Sequence, residues 1–433
     1  MFKSKFLTPF IAATLVISIV VGQFLRLQIF NGSSGALLAS DILTLLLASV
    51  FWVAVVLRRI SLPVGMLSKG FFIWVSAITF STFLASLHYG HVQVAVGVAY
   101  LIRLFAYVSM LFVSYALFAK LPNLIIRYLA YGAFGLLVLG AIILYILPDF
   151  AALAPMGWDP HVNRLTSTWL DPNFFGSFLA LLFAFFLAYA ARAEQSGQKF
   201  IRFGYYAFLL LLWLGIYLTY SRSALATLAV GGISVGLLTR WRNLLLVVVL
   251  LGVMIALPSR LQSRFAASVN YSVSTVSKST ATSSSVPVTN IDPTASDRVQ
   301  SWKRAISIFK ANPIFGTGYN FYQYYRLEHG QASVHDVTAI HGVAGSDSSL
   351  LTLLATTGIV GTAALTWWWG NIVRFLWKRR KGHPLVVGTL GMLLAWVASS
   401  FFNNTLLYPH ILLPVMLIVG IALAVPNEDE RAA

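Results

Sequence analysis

Long apolar runs separated by short polar connectors recur along almost the whole chain. Twelve can be drawn, at about 7–27, 37–57, 70–88, 93–119, 128–147, 173–191, 203–220, 223–239, 243–258, 348–373, 386–403 and 409–425. Most approach the roughly 20 residues that a helix needs to cross a hydrocarbon layer of about 30 Å. Apolar residues follow one another without the strict alternation of a barrel strand, so the pattern predicts helices and excludes a transmembrane β-barrel. A helix also satisfies its own backbone hydrogen bonds, which is the condition for crossing lipid. The expected fold is an all-α integral membrane protein of about 12 transmembrane helices. Its start, "MFKSKFLTPFIAATLVISIVV", has the basic head and apolar centre of a signal peptide, but "GQFLRLQIF" follows where a small-residue cleavage site is needed. It is read as a retained first helix.

Two segments break the rhythm. Residues 148–172 form one long polar connector, and a larger one runs from Pro258 to Asp347. Connectors of this length are usually functional or disordered. Within the larger one, 268–296 is rich in Ser and Thr, poor in charge and without a helical period, and is read as a flexible insert. Next, Val299, Trp302, Ala305, Ile306 and Phe309 recur at three- and four-residue spacing, with Lys303, Arg304 and Lys310 between them. That spacing predicts an amphipathic helix over 298–311 that rests on the membrane face or caps the bundle. The organisation expected is therefore 1–258 with nine spans, a loop domain at 259–347, and 348–433 with three spans and a tail.

Composition agrees with the pattern: 58% of the 433 residues are hydrophobic and only 10% are charged, with a mean hydropathy of +0.79. A net charge of +17 would suggest nucleic acid in a soluble chain. Here the basic residues must first be sorted by side. With Lys3 and Lys5 inside, the connectors carrying Arg58, Arg59, Lys69, Lys120, Arg127, Arg192, Lys199, Arg202, Arg240, Arg242 and "RFLWKRRKG" at 374–382 all fall on one face. The opposite short connectors are nearly free of Lys and Arg, so the positive-inside rule puts both termini in the cytoplasm and the two long segments outside. The charge thus describes topology, and no nucleic-acid partner is expected. The chain has no cysteine, which removes disulfides and thiolate metal sites.

The candidate chemistry gathers on the outer face. "YSRSAL" at 220–225 places Arg222 between two apolar runs, where an arginine is costly. Ser221 and Ser223 are read as supports of the following helix start. Arg164 precedes "WLDPN", Arg298 opens the amphipathic helix, and His335, Asp336, His341 and Asp347 precede the tenth span. Arg103 lies inside the fourth span, either contacting a ligand or forming a buried structural pair. Several arginines with few nearby carboxylates suit a diphosphate, whose oxygens match the guanidinium fork. A lipid diphosphate fits best, because its head sits at the membrane surface and its tail stays in the bilayer. His341 or Asp347 is a candidate general base or orienting acceptor for an incoming hydroxyl, against a solvated loop role. The chain has no phosphate-binding glycine loop, no His-Glu-x-x-His and no Gly-x-Ser-x-Gly, and neither a metal nor a nucleotide cofactor is expected.

Four stretches taken together resemble the O-antigen ligase and polymerase family of bacterial envelope proteins, the WaaL and Wzy type. They are "RLTSTWLDPNFFGSFLALL" (164–182), "YSRSALATLAVGG" (220–232), "SDRVQSWKRAISIFKANPIFGTGYNFY" (296–322) and "DSSLLTLLATTGIVG" (347–361). The resemblance implies a glycosyltransferase of the cytoplasmic membrane that works outside, without metal or nucleotide. Its implied donor is a glycan on a polyprenyl (undecaprenyl) diphosphate, and its acceptor is lipid A-core for a ligase or a growing glycan for a polymerase. An acceptor hydroxyl would attack the anomeric carbon with inversion. Carried over by position, Arg164 and Arg222 match arginines implicated in diphosphate binding, and Arg298 matches the loop arginine. Where the family often has His-Asn, this chain has Asp347-Ser348, so Asp347, His341 or neither serves as base. The long connector before the tenth span favours the ligase layout, and protein O-glycosylation is a further variant. From another class, a lipid-linked glycan flippase also fits a twelve-helix bundle, but the spans carry no central Asp or Glu for a proton or cation relay.

Overall fold

A computed structural model describes residues 6–28, 36–62, 65–156, 158, 161–257, 262, 293–334 and 344–426. Lys3, Lys5, His335, Asp336, His341 and residues 258–292, except Gln262, lie outside the described residues, and with them most of the expected flexible insert.

Helices make up nearly all of the rest. In chain order they are α1 (Leu7–Val21), α2 (Ala39–Val56), α3 (Met66–Ser86), α4 (His91–Phe118), α5 (Pro122–Ile146), α6 (Pro172–Gln195), α7 (Lys199–Leu218), α8 (Arg222–Leu238) and α9 (Trp241–Ala256). Then follow α10 (Pro293–Ala311), α11 (Tyr322–Glu328), α12 (Ser349–Lys378), α13 (Pro384–Phe402) and α14 (Pro409–Leu423). Among the described residues, nine helices are long and apolar enough to cross a membrane. Three shorter apolar helices, α8, α9 and α14, occupy the other positions where a span is expected. The first apolar run is shorter than its hydropathy suggests. Helix α1 stops at Val21, a 3-10 turn covers Gly22–Leu25, and β1 (Arg26–Gln28) pairs antiparallel with β2 (Ala36–Leu38).

The bundle is built around helices that are apolar on every side. From Phe175 to Ala188 every residue of α6 is buried, and so is every residue of α14 from His410 to Leu423. A helix without a polar face has no side to offer water and goes to the centre. Helix α6 packs against α7, α8 and α13, and α14 packs against α4. Close approach depends on small residues: a Cβ at Gly231 of α8 would stand 2.7 Å from the Cβ of Ala395 and 2.8 Å from that of Ala184. Small residues at such crossings let helix backbones meet where the hydrophobic effect between helices is absent. The perimeter is also greasy, with Tyr131, Phe134, Phe200 and Phe203 exposed, as expected of a surface solvated by lipid.

Helix α10 begins at Pro293, so residues 293–296, expected in the flexible insert, are helical. Proline is well suited to a first helical position, where its missing N–H costs nothing. The α10 helix packs on α12, with Ala305 and Ile308 buried and Lys303, Ile306 and Lys310 exposed. Helix α12 is opened at Gly358, whose φ is +62°. The segment after α10 fills the opening. Thr317 and Gly318 N–H donate to the carbonyls of Ala355 and Thr356 at 3.0 and 2.9 Å, and Ile359 and Val360 N–H donate to the carbonyls of Pro313 and Ile314 at 2.9 and 3.2 Å. Non-helical backbone within a bundle is tolerated where protein groups satisfy it.

Candidate functional site

Four helix ends meet at one end of the bundle. The N-termini of α6, α8 and α12 converge there with the C-terminus of α13, and side-chain hydrogen bonds join them. Each N-terminus is capped. The Asp171 carboxylate accepts from the N–H groups of Asn173 and Phe174 at 2.6 and 3.1 Å, the Ser221 hydroxyl accepts from Ala224 N–H at 3.4 Å, and Ser348 accepts from Leu351 N–H at 3.4 Å. A capping oxygen satisfies an amide that the helix leaves without a partner.

Arg164 is held from two directions. Its Nε donates to the Thr219 carbonyl at 2.8 Å and its Nη2 to Asn173 Oδ1 at 3.0 Å. The same Asn173 oxygen accepts from the Ser221 hydroxyl at 2.9 Å, one residue before Arg222. Ser221 and Ser223 hydroxyls are 3.0 Å apart, and Asn403 Nδ2 donates to Ser223 at 2.8 Å. Ser349 then donates to the Asn403 carbonyl at 3.1 Å. A continuous polar chain therefore runs from Arg164 through the "YSRS" turn to the start of α12. Arg222 is the first residue of α8, and its side chain is half-buried.

The turn before Arg222 is unusual. Tyr220 has φ of +48°, and within the loop that carries Arg164, Asn163, Ser167 and Leu170 have φ of +49°, +55° and +56°. A side-chain-bearing residue in the left-handed region costs roughly 1–2 kcal/mol. At Tyr220 that conformation follows the end of α7 and lets Ser221 cap α8 immediately, so that Arg222 is the first residue of α8.

On the far side of the network, Asp347 N–H donates to the Ser301 hydroxyl at 3.1 Å, and Ser301 and Ser346 hydroxyls lie 3.2 Å apart. Solvent still reaches the Asp347 side chain, although much of its surroundings is protein. The loss of hydration raises its carboxyl above the usual range, while Arg298, the Ser301 hydroxyl and Arg304 pull it back. Arg298 and Asp347 are thus neighbours.

Arg103 sits apart from this network. Its Nε donates to Asp41 Oδ1 at 2.8 Å, and the same oxygen accepts from Tyr107 at 2.7 Å. The other Asp41 oxygen accepts from Leu38 N–H at 2.7 Å and caps α2. Arg103 and Asp41 line a cavity of about 600 Å³ between α2 and α4, whose walls are otherwise mostly apolar and include Leu45, Leu46, Val96 and Ile102. Tyr408 links the two regions. Its ring stacks on Phe174 of α6 at 4.1 Å, its hydroxyl accepts from Gln23 at 3.3 Å, and the charges of Arg26, Arg103 and Asp171 all act on it.

Of the residues singled out from the sequence, the structure joins Arg164 to the Ser221–Arg222 turn and places Arg298 beside Asp347. Arg103 lies with Asp41, and His341 is outside the described residues. Sequence reasoning missed Asn403, Arg26 and Tyr408. The polar pair in "SSFFNNTLL" was a signal for the first, since an apolar run that ends in Asn-Asn must place those amides somewhere.

A bundle of long apolar helices defines a multi-pass membrane protein, and a hydrogen-bonded polar network joins four of its helix ends. Residues 207–366 match the model of a family described as O-Antigen ligase, Wzy_C. That stretch includes Arg222, Arg298 and Asp347, together with the opened part of α12, whereas Arg103 and Arg164 precede it. No curated protein matches the chain.

Proposed function

We propose that this protein transfers a glycan from a polyprenyl diphosphate to an acceptor hydroxyl at the outer face of the cytoplasmic membrane, as an O-antigen ligase acting on lipid A-core. The observation that carries this reading is the convergence of Arg164, the turn that leads into Arg222 and three helix N-termini on one network near Asp347 and Arg298, within and next to the matched segment. Arginine forks and helix N-termini both favour anions, and a diphosphate leaving group develops negative charge as its bond to the sugar breaks.

In this mechanism Arg222, Arg164 and Arg298 hold the diphosphate. The acceptor oxygen attacks the anomeric carbon from the face opposite the leaving oxygen, the carbon–oxygen bond to phosphate breaks, and that electron pair leaves with the lipid diphosphate. The acceptor proton passes to Asp347, whose raised pKa makes it a better base than an ordinary carboxylate. His341 is the other candidate for that proton. The apolar cleft between α2 and α4 takes the lipid chain, with Arg103 at its polar end and Asp41 balancing that charge until a diphosphate arrives.

The test is transfer by purified protein from a polyprenyl diphosphate-linked oligosaccharide to lipid A-core, without metal or nucleotide. Arg222→Ala is expected to lose at least about tenfold in rate, the equivalent of one charge-assisted hydrogen bond of roughly 1.5–3 kcal/mol, while eluting as a folded protein. Donor translocated across the bilayer with no new glycosidic bond would point to a flippase and sink the proposal. Product joined donor to donor would make the protein a polymerase.

A further inference from the structure

At the opposite end of the bundle, an open cavity of about 160 Å³ is bordered by the end of α6, the end of α8 and the turn between α12 and α13. Its polar lining carries three cations, Arg192 from α6 and Arg380 and Lys381 from the turn, with Gln195, Thr239 and His383 beside them. No carboxylate is among the described residues that line it. Ala188, Ala191, Leu238 and Val387 form the apolar wall.

The arrangement differs from the scattered charges elsewhere at this end. Arg58, Arg59 and Lys69 are exposed residues around a single connector. Here α6 and the turn between α12 and α13 turn their basic groups onto one concavity, which the end of α8 closes with Leu238 and Thr239. Arg380 is held in place, with Nη1 donating to the Trp377 carbonyl at 2.7 Å and its guanidinium 3.9 Å from the centre of the Trp377 ring. Arg192 donates to Gln195 Oε1 at 3.4 Å. Gly382, at φ of +72°, makes the reversal that brings Lys381 and His383 to the same rim.

From this we infer that the cavity is a binding site for the phosphodiester head of an anionic phospholipid in the leaflet at the basic end of the bundle. Three observations select that occupant. The lining carries a strong excess of positive charge. The volume lies below that of a pocket for a whole drug-sized ligand, so it takes a head group and leaves the rest outside. The apolar wall lies beside the charges, where acyl chains would leave the head. Basic pockets between membrane helices are suited to such heads, and each nearby cation adds to the attraction for an anionic surface. This site is independent of the proposed glycosyl transfer.

The experiment uses the full chain, delipidated in detergent, with lipid binding read by native mass spectrometry and thermal shift. Phosphatidylglycerol is expected to bind and raise the melting temperature, whereas phosphatidylcholine and inorganic phosphate at equal concentration do neither. The variant R192Q/R380Q/K381Q is expected to weaken phosphatidylglycerol binding at least tenfold. R58Q/R59Q/K69Q, which removes the same charge at the same end, is expected to bind as wild type does. R380Q alone serves if the triple variant does not fold, with an expected loss of about threefold. Equal loss in both triple variants, equal binding of phosphatidylcholine, or a shift reproduced by phosphate alone would overturn the proposal.

Discussion

Asp347 carries the sharpest expectation at the scale of single residues. Partial loss of hydration raises its carboxyl and Arg298 lowers it, so the two effects can be separated by substitution. If Asp347 is the base, only its ionised form is active, and the rate rises with pH through a midpoint above the ordinary value of about 3.9. Arg298→Gln removes one stabilising charge from the carboxylate. The acid limb of the profile should then move to higher pH, and Asp347→Asn should abolish that limb and slow transfer at least about 100-fold, within the range for general base catalysis. A limb that stays put in both variants would transfer the role to His341 or to no base. The types of the key side chains were legible in the sequence, because arginines beside apolar runs and an aspartate before a helix are conspicuous. Their partners were not. In the sequence Arg103 reads as a ligand contact or as half of a buried pair, and only the structure finds Asp41, 62 positions away, 2.8 Å from it.

At the scale of elements, the opened helix α12 makes a firm prediction. Gly358 stands at φ of +62°, and a Cβ there would meet the carbonyl of Ile314. Gly358→Ala is expected to cost roughly 1–2 kcal/mol from backbone conformation alone, with more from the collision, and to lower the melting temperature measurably. Unchanged melting would mean that the break in α12 and its four exchanged backbone bonds contribute little. Capping is the complementary case. Asp171→Ala removes the acceptor of two amides at the start of α6 and should cost about 0.5–2 kcal/mol in thermal unfolding. Periodicity located these helices well, since hydropathy is additive along a run. It did not locate the short hairpin after α1, because three-residue strands leave no periodic signal, nor the start of α10 at Pro293, because 293–296 carry no apolar period.

For the whole molecule, the ion pair between α2 and α4 is the feature to test. Arg103 and Asp41 are largely buried, with side chains 20% and 6% exposed, so each offsets the desolvation of the other. Asp41→Asn leaves a buried guanidinium without its counter-charge and should destabilise the protein by on the order of 3 to 5 kcal/mol. The double variant D41N/R103Q should regain much of that loss. Single and double variants of equal stability would show that the pair does not hold α2 to α4. The same measurement bears on function, because the pair stands at the polar end of the α2–α4 cleft.

The sequence by itself determined that the chain is a membrane bundle, roughly where its helices lie and which connectors carry the positive charge. Those properties are sums over local composition, and lipid, by demanding satisfied backbone groups, leaves few alternatives to a helix. Only the tertiary structure decided which polar residues meet. The sharing of Asn173 by Arg164 and Ser221, the neutralisation of Arg103 by Asp41, and the rejoining of α12 by the 313–318 segment all connect residues separated along the chain. Such contacts depend on helix rotation and relative depth, which are set by packing around small residues and do not appear in the hydropathy of any single run.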